Sequence, residues 1–304
     1  MLAFFCGIFL FLSGLEGCKW SIKNIVKGKL KKIIISLDSH IFFSIIIGII
    51  ITSIMQSSSA VSIILISLIE SRTLSLKSAF CIMLGANIGT TMTVQIISLP
   101  ILEFYPHLII TAITIILLAK VLNKRKYFYL GAYIFFFAVV FAGLLLMSSV
   151  FKAPDNTELI MSIVKYSANN LHLGIITGTI ATAIIQSSSA VTGIVFSLAL
   201  NQMINLETAV AVTLGSNIGT CITAFLASIN AGITSRKLAK CHFIFNAIGV
   251  ITILPLFPLF IRIITLTSNQ LPGQIANAHT FFNIYNVLIF LPVINTFISW
   301  VEKA

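Results

Sequence analysis

Charge is the scarcest property of this chain. Of its 304 residues only 9% are Asp, Glu, Lys or Arg, and just eight of them are acidic. So little charge, beside 58% hydrophobic residues and a mean hydropathy of +1.07, excludes a sizeable soluble domain and makes lipid the solvent. A crossing needs roughly 20 apolar residues, which leaves room for about seven or eight. Five cysteines (Cys6, Cys18, Cys81, Cys221, Cys241) are odd in number and lack metal-site spacing, so free thiols within helices are expected. The formal net charge of +11 does not indicate a nucleic-acid partner, because the cations fall in short gaps between apolar segments, the pattern of positive-inside topology. Residues 1–18 carry no basic residue ahead of the apolar run, so they read as a first crossing rather than a signal peptide, despite Leu15-Glu16-Gly17-Cys18.

What is present is a repeat. Gln56-Ser57-Ser58-Ser59-Ala60-Val61 returns as Gln186-Ser187-Ser188-Ser189-Ala190-Val191, 130 positions later. Gly85-Ala86-Asn87-Ile88-Gly89-Thr90 returns at the same step as Gly215-Ser216-Asn217-Ile218-Gly219-Thr220. Two motifs in one register indicate an internal duplication.

The apolar stretch 41–69 is too long for one simple crossing: as a single helix it would run to about 43 Å, beyond the roughly 30 Å hydrocarbon core, and its polar motif sits in the middle. Two half-length helices meeting at Gln56 to Ser59 return the chain to its starting side, and 172–200 repeats the pattern. Charge decides between hairpin and crossing. With both segments re-entrant, crossings fall at about 1–18, 78–99, 105–122, 128–150, 208–229, 241–262 and 275–299, the N-terminus is outside and the C-terminus cytoplasmic. Sixteen of the nineteen cations, including the six lysines from Lys19 to Lys32 and the cluster Lys120 to Lys126, are then cytoplasmic; Lys152, Lys165 and Arg262 stay outside.

Three crossings and one hairpin per repeat turn the second copy upside down. The expected fold is therefore an all-α polytopic membrane protein of two inverted repeats, each with a re-entrant helical hairpin and a broken transmembrane helix. Repeat 1 is 1–126, with hairpin 41–69 and broken helix 78–99. Repeat 2 is 127–304, with hairpin 172–200, broken helix 208–229 and two C-terminal helices. The breaks are expected at Gly85, Gly89, Gly215 and Gly219, where glycine weakens a helix and Asn87 and Asn217 tolerate irregular dihedrals. Close helix packing by small residues is the alternative use of such a motif.

Three consecutive serines after a glutamine cannot share one helix face, since successive residues are about 100° apart. At a hairpin tip their hydroxyls and amides can converge on one ligand; half-helix N-termini suit an oxyanion and carbonyl ends suit a hard cation. The stretches 41–69, 78–102, 173–206 and 208–235 contain no charged residue, so neutral donors are expected to hold any anion. A second repeated pattern, His-x-x-Phe-Asn at His242 to Asn246 and His279 to Asn283, puts His, Phe and Asn on one helix face and is expected to serve interhelical hydrogen bonding.

With these motifs the chain resembles the sodium-phosphate cotransporter family, which includes the animal type II transporters and shorter bacterial members. The resemblance spans nearly the whole chain through both Gln-Ser-Ser-Ser motifs, both Gly-x-Asn-Ile-Gly-Thr motifs and both His-x-x-Phe-Asn segments. It implies a non-enzymatic sodium-driven symporter of inorganic phosphate in the bacterial inner membrane, with the serine motifs lining the substrate and ion site. Its expected ligands are Gln56, Ser57, Ser58, Ser59, Asn87, Thr90, Gln186, Ser187, Ser188, Ser189, Asn217 and Thr220, with sodium ions co-transported. Many bacterial relatives carry a cytoplasmic domain resembling a phosphate-signalling regulator; with the sequence ending at Ala304, such a regulator is expected as a separate protein. A phosphate exporter, or a sodium symporter of another small anion, shares these features. An intramembrane serine hydrolase using Ser57 to Ser59 with His242 or His279 is the reading from a different class; it needs one activated nucleophile, whereas two related serine motifs suit one shared ion site.

Overall fold

The computed structural model describes residues 2–26, 40–99, 104–151, 162, 164 and 170–303, and every regular element among them is helical. Lys27, Lys29, Lys31, Lys32, Lys152 and Lys165, which entered the topology expectation, lie outside the described residues.

Helix α1 (Leu2–Val26) continues two turns past the expected end of the first crossing and so carries Lys19 within its body. The segment expected as the first hairpin is two short helices, α2 (Ile41–Met55) and α3 (Ser58–Glu70). At 1.5 Å per residue these reach about 22 and 20 Å, each short of the roughly 30 Å core. Helices α4 (Leu76–Ile97), α5 (Tyr105–Val121) and α6 (Arg125–Val150) follow. The second copy repeats the plan with α7 (Leu171–Ile185), α8 (Ser188–Leu200) and α9 (Leu206–Ser228). Two long C-terminal helices each contain one 3₁₀ turn at a proline. The first is α10 (Ile233–Ile253), Leu254–Leu256 and α11 (Phe257–Thr265); the second is α12 (Leu271–Phe290), Leu291–Val293 and α13 (Ile294–Lys303). Pro255 and Pro292 lack the amide that would continue the ladder, so each helix tightens there instead of stopping. Six of the described helices are long and apolar enough to cross a bilayer. The protein is an all-α, multi-pass membrane protein.

Equivalent positions fold alike. Ser75 Oγ caps α4 by accepting from Ser78 N–H at 3.1 Å, and Asn205 Oδ1 caps α9 by accepting from Thr208 N–H at 2.9 Å, one repeat step away. Apolar side chains point both inward and outward: Ala112 and Ala119 of α5 are buried, whereas Ile110, Ile113, Leu117 and Val121 are exposed, as a lipid-facing helix requires.

The expected helix breaks are absent. Helices α4 and α9 run unbroken through both glycine-asparagine motifs. Tertiary packing explains the glycines: a methyl group at Gly85 would strike the Ile45 carbonyl of α2, and one at Gly215 would strike the Ile175 carbonyl of α7. Gly89 and Gly219 meet Ile49 and Thr179 of the same two helices in the same way. The entropy cost of glycine is outweighed by the closeness of approach it permits, so the small-residue alternative is correct.

The ends of several elements meet at one face. Glu70, at the end of α3, accepts from the Gly232 amide at 2.9 Å and from Ser235 Oγ, while Lys237 Nζ donates to the Glu302 carbonyl at 2.7 Å. Hence the exit of α3, the α9–α10 turn and the end of α13 lie together.

Candidate functional site

Each serine motif begins with a reversal. Gln56 (φ 50°, ψ 33°) and Gln186 (φ 58°, ψ 25°) adopt the left-handed conformation, which stops α2 and α7. A glutamine there has no glycine-like freedom and the surroundings must hold it. Ser57 and Ser187 are extended N-caps: Ser57 Oγ accepts from Ala60 N–H at 3.2 Å and Ser187 Oγ from Ala190 N–H at 3.3 Å. The amides of Ser58, Ser59, Ser188 and Ser189 fall in the first turn of α3 and α8, where helix geometry supplies no acceptor within the helix. Both tips therefore present N–H donors and the positive end of a helix dipole.

The two tips face one cavity. It is lined by Gln56, Ser57, Ser58, Ser59 and Thr90 from the first copy, by Gln186, Ser187, Ser188, Ser189 and Thr220 from the second, and by Lys19 from α1. The cavity is narrow, about 20 Å³, enough for roughly one water. It adjoins a cleft of about 540 Å³ that shares Lys19, Ser57, Ser59, Gln186 and Ser187 and continues along Leu12, Glu16, Leu226 and Ala227. A groove of about 520 Å³ elsewhere, walled by Ile218, Phe225 and Phe243 with Lys240 and Thr179 at its lining, is almost wholly apolar.

The polar groups around the cavity differ in what they can offer. Thr90 Oγ1 donates to the Ala86 carbonyl at 3.0 Å and Thr220 Oγ1 to the Ser216 carbonyl at 2.8 Å, so each hydroxyl proton is used and the oxygen remains an acceptor. Ser57 and Ser187 are the converse: each Oγ already accepts, leaving its proton to donate. Gln56 Nε2 donates to the Tyr133 hydroxyl of α6 at 2.8 Å. Gln56 is buried whereas Gln186, its counterpart, is exposed. The tips are thus chemically alike but unequally covered.

Ten of the twelve expected ligands converge on the cavity; Asn87 and Asn217 do not line it. They point to the C-terminal helices. His242 Nε2 donates to Asn87 Oδ1 at 3.2 Å, and Asn87 Nδ2 donates to Asn246 Oδ1 at 3.3 Å. In the second copy His279 Nε2 and Asn283 Nδ2 donate to Asn217 Oδ1 at 3.2 and 3.4 Å. The His-x-x-Phe-Asn segments thus make the interhelical bonds expected of them, and their partners are the asparagines. Tyr133 and Lys19 were not expected at the site. No motif marks Tyr133. Lys19 opens a run of six lysines that reads as a loop, and its one signal is its position a single turn past Leu15 on an apolar helix face.

The chain was compared with known proteins. The family model described as Na+/Pi-cotransporter matches residues 10–149 and 156–263. An uncharacterized protein of Bacillus subtilis, YqeW, is 30% identical over 258 residues, covering 84% of this chain and 82% of that protein. Human sodium-dependent phosphate transport protein 2B is 42% identical over 89 residues, or 28% of this chain and 13% of that protein. Rat sodium-dependent phosphate transport protein 2A is 37% identical over a stretch of the same length, covering 14% of that protein. No solved structure matches the chain. By a family match over most of its length, joined to a paired-serine cavity between two equivalent helix tips, the chain belongs to the Na+/Pi-cotransporter family.

Proposed function

We propose that the protein is a sodium-coupled secondary transporter of inorganic phosphate that works by alternating access around the cavity between its two Gln-Ser-Ser-Ser motifs. The observation that carries this reading is the convergence of both motifs, 130 residues apart in sequence, on one polar cavity. Phosphate is held by the first-turn amides and hydroxyls of Ser58, Ser59, Ser188 and Ser189, aided by the hydroxyl protons of Ser57 and Ser187. Sodium, as cargo rather than resident cofactor, takes the acceptor oxygens of Thr90, Thr220, Gln56 and Gln186, a neutral set suited to a hard cation. The two ions stabilise each other's presence in a site of low dielectric, which couples their movement. Asn87 and Asn217 hold the helices that carry Thr90 and Thr220 rather than contacting the ions.

Inverted, re-entrant architecture is supported by register. Ile45 and Ile49 of α2 follow Gly85 and Gly89 of α4 in the same direction, so α2 starts at the end of the molecule where α4 starts, which is also where α3 exits. Ile175 and Thr179 of α7 follow Gly215 and Gly219 of α9 likewise. Gly232, just past α9, donates to Glu70, shortly before α4, which supports equivalent helices running in opposite directions. The face they share carries Arg72, Lys77, Arg236, Lys237 and Lys303 and is cytoplasmic by the positive-inside rule. The cleft beside the cavity is lined by Leu226 and Ala227 at the end of α9, which lies toward that face, and this supports an inward-facing reading of the conformation, with the Tyr133 bond at the first tip. Both histidines of the hydrolase alternative donate to asparagine and not to a serine, which favours transport.

The test is uptake of labelled phosphate by proteoliposomes with a sodium gradient imposed in either direction. Uptake that follows an inward sodium gradient and collapses when sodium is replaced by potassium is expected. Equal phosphate flux with and without sodium would overturn the coupling.

A further inference from the structure

The cavity contains one charge that the motifs do not supply. Lys19 reaches it from α1, a helix outside the hairpins and outside the glycine-asparagine helices, and also lines the cleft beside it. Its only ion-pair partner among the described residues is Glu16, one turn earlier on the same helix. The lysine side chain is 25% exposed and the glutamate 70%, so the lysine is the more buried partner of the pair.

We propose that Lys19 is an oxyanion-binding residue of the transport site: its ammonium recruits phosphate from the cleft to the serine tips, and Glu16 occupies that ammonium while the site is empty. This rests on the phosphate reading of the cavity and adds a fixed protein cation to the co-transported sodium. Neutral hydroxyls and amides can orient an oxyanion, but they leave its charge to be balanced when it quits water, and a buried uncompensated charge is costly. A single lysine offsets part of that charge without the fixed bidentate grip of an arginine, so the anion can still leave. An ion pair to an exposed carboxylate contributes little and is readily exchanged, so Glu16 can yield the ammonium to an incoming anion. A lysine serving only to reach water from an apolar helix would need no place between two serine tips.

The test uses the full chain in proteoliposomes, with wild type, Lys19→Met, Lys19→Arg and Glu16→Gln compared at matched incorporation. Lys19→Met is expected to raise the phosphate KM about ten- to a hundredfold, the worth of one hydrogen bond to a charged group, with kcat and the half-saturating sodium concentration little changed. Lys19→Arg should restore most of the affinity, and Glu16→Gln should leave KM equal or lower. A readout independent of transport is reductive methylation of lysines followed by mass spectrometry. Inorganic phosphate should slow labelling at Lys19 but not at Lys240. If wild type moves phosphate while Lys19→Met keeps the wild-type KM and phosphate leaves Lys19 labelling unchanged, the lysine proposal falls and the transport reading stands. If wild type moves no phosphate but sulfate protects Lys19, the phosphate reading falls and the oxyanion role of Lys19 stands.

Discussion

Replacing Gly85 or Gly215 with alanine separates close packing from helix breakage by the sign of the effect. Alanine is favoured over glycine in a helix interior by about 1 kcal/mol, so at a weakened or broken position the change stabilises. In the folded protein the added methyl meets the main chain of the neighbouring helix, α2 or α7: the carbonyls of Ile45 and Ile175, and behind them Ile49 N and Thr179 N, each at 2.9 Å. No rotamer change relieves a collision with backbone, so the whole neighbouring helix must retreat. Overpacking typically costs about 1–3 kcal/mol, and a backbone clash belongs at the upper end of that range. After the propensity gain a net loss of about 1–2 kcal/mol remains, which for a large chain lowers the unfolding midpoint by roughly 2–8 °C. The assay is thermal unfolding of purified protein in nanodiscs, read as the monodisperse fraction surviving each temperature. Gly85→Ala and Gly215→Ala should fall together, because their surroundings are equivalent. A midpoint that rises or holds for either variant would refute the packing argument at that position.

Two further outcomes follow from other contacts. Asn217→Ala removes the acceptor for His279 Nε2 and Asn283 Nδ2, and since interhelical membrane hydrogen bonds are worth about 0.6 kcal/mol on average and up to about 1.7, a stability loss in that range is expected in the same unfolding assay; no loss would mean the bonds are replaced or unimportant. Single cysteines at Lys124 and Asn269, in a background lacking native cysteines, should differ in intact cells: an impermeant thiol reagent should label position 269 and spare 124. Labelling at 124 would overturn the inverted topology.

Much of this arrangement is legible in sequence because the duplication makes it so. A polar tetrapeptide in the middle of an apolar stretch too long to cross once reads as a helix interruption, and the described helices do stop at Met55 and Ile185. Other features depend on distance in space. Gly85 and Gly215 look like local weaknesses until the carbonyls of Ile45 and Ile175 are seen against them. Asn87 and Asn217 look like ligands because they share a motif with Thr90 and Thr220. Three residues apart on a helix they lie only about 60° apart around it, yet the asparagines bond His242 and His279 of the C-terminal helices, contacts that depend on distance in space and not on the motif. Lys19 was hidden by its neighbours, since a lysine beginning a basic run gives no sign that α1 carries it one turn further into the protein.

The central claim, that both serine motifs serve one ion, is tested most directly by counting. Equilibrium binding of labelled phosphate to the purified chain in nanodiscs at saturating sodium should give one phosphate per chain. Ser58→Ala and Ser188→Ala should each weaken that same site about ten- to a hundredfold, while Ser62→Ala, buried on α3 away from the cavity, should not. Two phosphates per chain, or wild-type affinity in either tip variant, would contradict a shared site.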